Sequence, residues 1–219
     1  MVGIKEKILK TAYGMFLERG YEKTTLRAIA EECGITHANI LYHYKGKADI
    51  ANQVTSRYLS ALTKEVETIA SRNALRPSFS KASLFWMTHL CFMVEYPDFA
   101  RAYSEMLRED TRPLMNSFIH EHEKRNPVGE LFRNQLQDES EKTLAWKVEI
   151  LTYADYSSIK KIANGEFSLR EGMFYMLDIL SLLFAEKKRA KTALERDISL
   201  LLDLVTKEDL QRINSCCKF

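Results

Sequence analysis

Residues 25–44 read TLRAIAEECGITHANILYHY, and this stretch decides the fold of the N-terminal part of the chain. Thr25 predicts the N-cap of a short helix, because its hydroxyl can accept a hydrogen bond from a backbone N–H of the first turn. Gly34 predicts the end of that helix, where a left-handed backbone is favoured. Thr36 then predicts the N-cap of a second helix over about residues 37–44. Two short helices joined by so tight a turn are typical of a helix–turn–helix unit.

The second helix of this unit has two faces of different character. Ile35, Ile40 and Tyr44 are available to dock it on the first helix. The opposite face is small and polar enough to enter the major groove of DNA, and it carries His37, Ala38, Asn39, Tyr42 and His43. A helix–turn–helix pattern alone produces many false matches, so the flanking sequence must support it.

Helical periodicity continues on both sides of this unit. Ile4, Ile8, Ala12 and Phe16 recur every four residues and predict an amphipathic helix over about residues 3–19. Further helices are predicted over residues 47–72, 79–95, from Pro97, 114–125, 139–163, 168–186 and 189–213. Because β alternation is absent, the predicted fold class is all-α. We expect an N-terminal three-helix DNA-binding domain over residues 1–50, joined by the long helix to a helical dimerisation and ligand domain over residues 51–219.

Composition limits the class of protein more than its function. The 219 residues are 46% hydrophobic and 28% charged, as in ordinary globular proteins. The net charge is only +2, and its whole excess lies in residues 1–50, which hold eight Lys and Arg against six Asp and Glu. The longest run without these charged residues, 82–94, is too short to span a bilayer. An early charged N-terminus and four cysteines without Cys-x-x-Cys spacing lead us to expect a cytoplasmic protein without a membrane partner.

Three motifs extend the helix–turn–helix signal: FLERGYEKTTLRAIA over 16–30, CGIT over 33–36 and YHYKGKADI over 42–50. With them, residues 4–50 resemble the N-terminal domain of the TetR (tetracycline-repressor-like) transcription regulators almost without gaps. The resemblance implies a ligand-responsive repressor that binds a near-palindromic operator in double-stranded DNA as a homodimer. It also implies a small-molecule effector, of a kind that the sequence does not name, bound in the helical C-terminal domain.

The resemblance also assigns the DNA contacts residue by residue. Phosphate contacts are expected at the helix starts and in the aromatic cluster, from Thr25, Thr36, Tyr42 and Lys47. Base reading is expected from His37, Ala38, Asn39 and His43, with Arg27 as a possible addition. The chain departs from the family where Leu41 replaces the usual Tyr, so the hydroxyl contact of that Tyr is missing.

Some of these residues have plainer interpretations. Against DNA contact, His43 could be a packed core histidine. Leu41 and Tyr44 are expected in the core rather than at DNA. For lysines 5, 7 and 10, a solvated helix face is as good an interpretation as phosphate contact.

Aromatic and methionine side chains of the second domain are candidates for the wall of an effector pocket. The predicted set is Phe85, Trp86, His89, Phe92, Met93, Tyr96, Tyr103, Phe118, Trp146 and Tyr153. Each residue alone is better explained as core, since aromatic residues at helical spacing usually pack inside. The resemblance favours a pocket somewhere among them, with His89, Trp146 and Tyr153 as its polar members.

The helix predicted over 168–186 is apolar around most of its circumference, more than one protomer's core requires. It is therefore the expected dimer surface, in a four-helix bundle with 139–163, and 189–213 is the competing or additional element. The predicted interface residues are Met173, Phe174, Leu177, Leu180 and Phe184.

No catalytic, metal or cofactor site is predicted. His120 and His122 point apart on a helix, and the His-Glu-x-x-His spacing that would bring two ligands to one face is missing. Two alternatives to a DNA-binding regulator stay open. One is an all-α small-molecule-binding or scaffold protein without operator binding, and the other is an all-α enzyme that uses the apolar cavity.

Overall fold

A computed structural model describes residues 3–74, 79–109, 140–184 and 191–217. These residues form ten helices and no strand, which confirms the predicted all-α class. In chain order the helices are α1 Ile4–Arg19, α2 Leu26–Cys33, α3 His37–His43, α4 Lys47–Arg72, α5 Phe79–Glu95, α6 Pro97–Glu109, α7 Glu141–Ala163, α8 Leu169–Phe184, α9 Lys191–Leu202 and α10 Lys207–Cys217.

Local capping interactions build the helix–turn–helix as the sequence predicts. Thr25 Oγ1 accepts a hydrogen bond from the backbone N–H of Ala28 at 3.1 Å, at the start of α2. Gly34 ends α2 in the left-handed conformation, with φ +65°, and the next N–H closes the turn on Ala30. Thr36 Oγ1 accepts from the N–H of Asn39 at 3.2 Å, at the start of α3. The turn geometry is therefore encoded by three residues that satisfy otherwise free backbone groups.

The core of the N-terminal domain lies between α1, α2 and α3, with the first turns of α4 closing it. Ile8, Phe16, Ile29, Ile40 and Ile50 are buried there. Burial of these side chains fixes the angle at which α3 leaves the domain, because a packed core resists small changes of position.

Helix α4 connects the two halves of the chain. Its 26 residues span about 39 Å at 1.5 Å per residue. It packs on α1 at one end and on α5 and α10 further along. The boundary expected between residues 50 and 51 falls within this continuous helix. A displacement of α4 would therefore change the packing in both halves of the chain.

The C-terminal half is arranged around α5. This helix contacts α4, α6, α7, α8, α9 and α10. It is buried over most of its circumference, with Leu84, Phe85, Met87, Leu90 and Phe92 at 1% exposure or less. A central apolar helix of this kind needs neighbours on every side, which explains why the later helices surround it.

The single helix predicted over 189–213 is wrong, because α9 and α10 are separate helices with a break between them. Thr206 and Asp209 form a capping box at the start of α10. The N–H of Thr206 donates to Asp209 Oδ2 at 2.8 Å, and the N–H of Asp209 donates to Thr206 Oγ1 at 3.3 Å. The other predicted helix bounds agree within two residues, except that 114–125 lies outside the described residues.

A network of charged side chains fastens α10 to the distal end of α4. The fully buried Asp209 accepts hydrogen bonds from Arg72 Nη1 at 3.2 Å and Nη2 at 3.0 Å. Arg212 bridges Asp209 and Glu65, and its Nη2 lies 2.8 Å from Glu65 Oε1. Burial alone would raise the pKa of Asp209, but hydrogen bonds from Arg72 and from Thr206 outweigh it and lower that pKa. Asp209 is therefore ionised at neutral pH and holds two helices together.

Candidate functional site

The outer face of α3 is exposed. Tyr42 is 84% exposed, and His37, Ala38 and Asn39 are also open to solvent. His43 is half-buried, with its ring edge-on to Tyr42 at 5.0 Å between centroids, so it lies at the rim of this face rather than in the core. The packing expected for Leu41 is wrong, since that side chain is 46% exposed. It stands next to Tyr42 in the sequence and adds apolar surface to this face.

Two helix N-termini flank the exposed face. Thr25 and Thr36 are both exposed while their hydroxyl oxygens cap α2 and α3. Free N–H groups and a positive dipole end make such termini suitable for phosphate oxygens. Arg27, also exposed, adds a positive charge in the first turn of α2.

Several residues near this surface are engaged in holding it in place. Tyr44 is buried as expected, and its hydroxyl donates to the carbonyl of Lys5 at 3.0 Å. Burial, followed by the nearby charges of Glu6 and Asp49, raises the pKa of Tyr44 to about 12 and keeps this donor protonated. The Lys7 ammonium donates to the last carbonyl of α2, that of Cys33, at 2.9 Å.

Lys47 has a structural role beside the phosphate contact expected of it. Its ammonium donates to the carbonyl of Tyr21 at 3.0 Å and lies 4.0 Å from the centroid of the Tyr21 ring. The side chain therefore ties the start of α4 to the turn between α1 and α2.

Comparison with known proteins agrees with this geometry. Residues 8–54 match the sequence profile described as "Bacterial regulatory proteins, tetR family". Through these residues, the chain is similar to the TetR family. The match covers the whole helix–turn–helix and the start of α4, which confirms the resemblance drawn from the three motifs.

Proteins similar to this chain are described as transcription regulators. The "Probable HTH-type transcriptional regulator YttP" of Bacillus subtilis is 33% identical over 121 residues, which cover 54% of this chain and 58% of YttP. The biofilm operon negative transcriptional regulator IcaR of Staphylococcus epidermidis is 40% identical over 47 residues, 22% of this chain and 25% of IcaR. The chain thus spans little more than half of YttP and a quarter of IcaR.

A solved structure shares the architecture along most of the chain. The crystal structure of a tetR family transcription regulator from Shewanella sp. PV-4 superposes with a TM-score of 0.50 over 83% of this chain and 96% of the other. At 16% identity this likeness shows the fold alone, with an N-terminal helix–turn–helix domain and a helical C-terminal domain.

Most aromatic residues predicted to line an effector pocket pack against one another. Tyr58 of α4 stands at the centre, with ring centroids 5.0 Å from Phe92, 4.8 Å from Phe99 and 5.7 Å from Tyr103. Phe85, Trp86, His89 and Met93 are also buried, and Tyr96 is half-buried. Phe118 lies outside the described residues. The cluster forms the core of the C-terminal half. This agrees with the alternative interpretation of each residue as part of the core rather than of a pocket wall.

A buried polar chain crosses this aromatic core. Tyr58 Oη lies 2.7 Å from His89 Nδ1, and His89 Nε2 lies 3.0 Å from Asp155 Oδ2. Burial raises the pKa of Tyr58 well above its usual range, so its hydroxyl stays a donor. With the Tyr58 hydroxyl as donor, His89 accepts at Nδ1 and donates at Nε2 to the Asp155 carboxylate, so each contact has a donor and an acceptor. Sequence reasoning missed Asp155, although a carboxylate on an otherwise apolar helix face is a readable signal.

An open cavity lies beside this core, between α5, α6 and α7. Its volume is about 420 Å³, within the range of small-molecule sites. The apolar wall is formed by Leu90, Met93, Ala100, Tyr156, Ile159 and Ile162. Among the nine predicted pocket residues that the structure describes, Met93 is the one that lines it. The prediction for Trp146 and Tyr153 is wrong, because these side chains are 57% and 58% exposed on the outer face of α7.

The same burial pattern corrects the predicted dimer residues. Met173, Leu177 and Leu180 are buried within this protomer, since their face of α8 packs on α5 and α7. Phe174 is half-buried, and the side chain of Phe184 lies outside the description. Among the described side chains of α7 and α8, the large apolar ones left exposed are Trp146, Tyr153, Tyr175 and Leu182.

Two other features concern the predictions that the protein has no membrane partner and no metal site. Across residues 3–74, 79–109, 140–184 and 191–217, no helix combines the length and apolar character needed to cross a bilayer. Within the same part of the chain, no three His, Cys, Asp or Glu side chains are grouped as metal ligands would be. The segment with His120 and His122 lies outside the described residues.

Proposed function

We propose that this chain is a ligand-responsive transcription regulator that binds operator DNA as a homodimer and acts as a repressor. The main observation behind the proposal is the exposed face of α3. Two threonine-capped helix starts flank this face, and the segment matches the TetR-family profile. IcaR is described as a negative regulator, which supports repression as the mode of action. A regulator that acts on bacterial DNA works in the cytoplasm, and we assign this chain to that compartment.

The proposed DNA contacts divide into two groups. Thr25, Thr36, Tyr42 and Lys47 hold phosphates and fix the position of the domain, without reading sequence. His37, Ala38, Asn39 and His43 read base edges in the major groove, with Arg27 as an addition from α2. Asn is suited to adenine and Ala to a thymine methyl group. The exposure of Arg27, His37, Ala38 and Asn39 supports the assignment, because a reader must be accessible to DNA, and the half-buried His43 lies at the rim of the same face.

The exposed apolar residues of α7 and α8 support a four-helix dimer interface. Trp146 and Tyr153 lie seven residues apart on one face of α7, and Tyr175 and Leu182 have the same spacing on α8. Two antiparallel helices with such stripes can pair with their copies around a two-fold axis. The pair of α3 helices would then lie about 34–36 Å apart, in successive major grooves of a near-palindromic site.

The switch requires that the effector and DNA favour different conformations of the dimer. An effector bound in the C-terminal half would shift α4, which is continuous with the N-terminal domain, and change the α3 separation. A coupling of about 1–3 kcal/mol corresponds to a loss of operator affinity of about 5–150-fold.

Fluorescence anisotropy with duplexes that tile the DNA upstream of the chain's own gene tests the proposal. We expect one duplex to bind with an affinity at least about 1,000-fold above the others. Tyr42→Ala should weaken that binding, because it removes an α3 side chain that is 84% exposed. Gln211→Ala, an exposed change on α10 far along the chain, is the matched control. A dimer that binds no duplex in the set would favour the alternative of a ligand-binding protein without an operator.

A further inference from the structure

The exposed face of α3 includes the side chain of Leu41. This leucine is 46% exposed, although its neighbour Ile40 is fully buried. At about 100° per residue, Leu41 lies about 60° around the helix from Ala38, and Asn39 lies on the other side of Ala38. Leu41 therefore belongs to the same face as the residues that we assign to the major groove.

The backbone that carries Leu41 is anchored at both ends and in the middle. Thr36 caps the start of this seven-residue helix. Ile40 fills the domain core at its centre. At its end, the buried Tyr44 donates its hydroxyl to the carbonyl of Lys5 at 3.0 Å. The leucine is therefore presented at a defined position, and contact with a partner requires little further ordering of the backbone.

The composition of α3 limits how this helix can read bases. Its sequence, HANILYH, contains neither Arg nor Lys. The bidentate contact with guanine that these two residues make is therefore not available from α3. Base reading by this helix must rely on the hydrogen bonds of its polar side chains and on apolar contact. Its two exposed aliphatic side chains are those of Ala38 and Leu41.

Among the groups that bases present in the major groove, the C5 methyl of thymine is the apolar one. Contact between this methyl and a leucine removes apolar surface of both from water, which is favourable. Against a G·C pair, the same leucine would cover the polar O6, N7 or N4 group without offering a hydrogen bond, which costs free energy. A leucine at this position therefore discriminates twice, by an attraction to thymine and by a penalty against G·C pairs.

We propose that Leu41 is a specificity-determining residue, which contacts the methyl group of one thymine in each operator half-site. The inference rests on the proposed function and adds a reader that the resemblance does not supply. The usual Tyr at this position offers a hydroxyl, so Leu41 exchanges a hydrogen-bonding group for an apolar contact. Part of the sequence preference of this chain is therefore a property of its own recognition helix.

Deoxyuridine tests this contact, because it lacks the C5 methyl of thymidine and keeps its hydrogen-bonding groups. The tightest-binding duplex of the upstream set is remade with deoxyuridine at one thymine position at a time, in both half-sites together. Fluorescence anisotropy then measures the affinity of the full-length chain for each duplex. At the position that Leu41 reads, binding should weaken about 15-fold, or about fourfold for each methyl, since a buried methyl contributes about 0.8 kcal/mol.

Variants of Leu41 assign the methyl effect to this side chain. Leu41→Ala and Leu41→Gln should each reduce the effect of deoxyuridine at that position to less than about twofold. Leu41→Met keeps a long apolar side chain and should retain the effect. Leu200→Ala, a change at a leucine that is 60% exposed on α9, is the matched control and should also retain it. Circular dichroism of each variant checks its folding, which a change at so exposed a side chain should leave intact.

Failure of this inference differs from failure of the proposed function. If the wild type binds its duplex tightly but no deoxyuridine position weakens binding, the function stands and Leu41 is not a reader of thymine. The same conclusion holds if every deoxyuridine effect survives in both Leu41→Ala and Leu41→Gln. If the wild type binds neither the thymine duplexes nor their deoxyuridine forms, the proposed function fails, and the role of Leu41 fails with it.

Discussion

Replacing Asp209 with Asn will lower the stability of the chain by about 3 kcal/mol. The carboxylate is fully buried and accepts two hydrogen bonds from Arg72, at 3.2 and 3.0 Å, and one from the N–H of Thr206 at 2.8 Å. A hydrogen bond to a charged group contributes about 1.5–3 kcal/mol, and removing one partner of a buried pair costs about 3–5 kcal/mol. The Arg72 side chain is 43% exposed, so water can take over part of its solvation. We therefore expect a loss of stability at the lower end of the range for a broken buried pair, about 3 kcal/mol.

Thermal unfolding followed by circular dichroism at one fixed protomer concentration measures this loss. For a chain of this size, about 3 kcal/mol corresponds to a fall in Tm of about 6–12 °C. Glu208→Gln is the matched control, because Glu208 is the exposed neighbour of Asp209 on the same helix, and it should change Tm little. An Asp209→Asn variant that unfolds at the wild-type temperature would refute the role assigned to this network.

The pH dependence gives a second reading of the same interaction. The folded state lowers the pKa of Asp209. The ionised carboxylate therefore contributes fully to the stability of the fold at pH values above its pKa in the unfolded chain, which is near 3.8. It is lost as the pH falls through the lower, folded value. The Tm difference between wild type and Asp209→Asn should therefore be constant from pH 7 to about pH 5 and shrink at lower pH. A difference that persists unchanged under acid would show that its cause is not the carboxylate charge.

Three further predictions concern the core, the turn and the recognition face. Tyr58→Phe leaves Nδ1 of the buried His89 without its donor, and should lower the free energy of unfolding in urea by about 1–3 kcal/mol; an unchanged midpoint would contradict it. Gly34→Ala places a Cβ in open space but at φ +65°, and calorimetry should show that the free energy of unfolding falls by about 1–2 kcal/mol. An unchanged free energy of unfolding would show that the turn relaxes without strain. Asn39→Ala should change base preference at one position of each half-site, whereas uniform weakening would remove Asn39 from the readers.

Local signals made the helix–turn–helix predictable from the sequence. Thr25, Gly34 and Thr36 each satisfy backbone groups a few residues away, so their meaning does not depend on the rest of the fold. The bounds of α4, Lys47–Arg72, were predictable for the same reason, since no helix breaker interrupts the segment. The break before α10 was also readable, because Thr206 and Asp209 have the spacing of a capping box.

The C-terminal site could not be predicted to the same depth, because tertiary packing decides which face of a helix is buried. Composition marks Trp146 and Tyr153 as large and aromatic, but only the contacts of α7 show that both face outward. Likewise, Met173 looks as suitable for a dimer surface as Tyr175 until α5 covers one side of α8. The polar chain through His89 joins three helices and has no local signature.

Selection of binding sites from a random duplex library by the full-length protein tests the central claim most directly. A homodimer that reads DNA with two α3 helices should enrich an inverted repeat, with half-site centres about 10 base pairs apart or at a multiple of that spacing. Insertion of five base pairs between the half-sites should then abolish tight binding, because it places them on opposite sides of the duplex. Enrichment of no sequence, or of a single site without symmetry, would contradict the account.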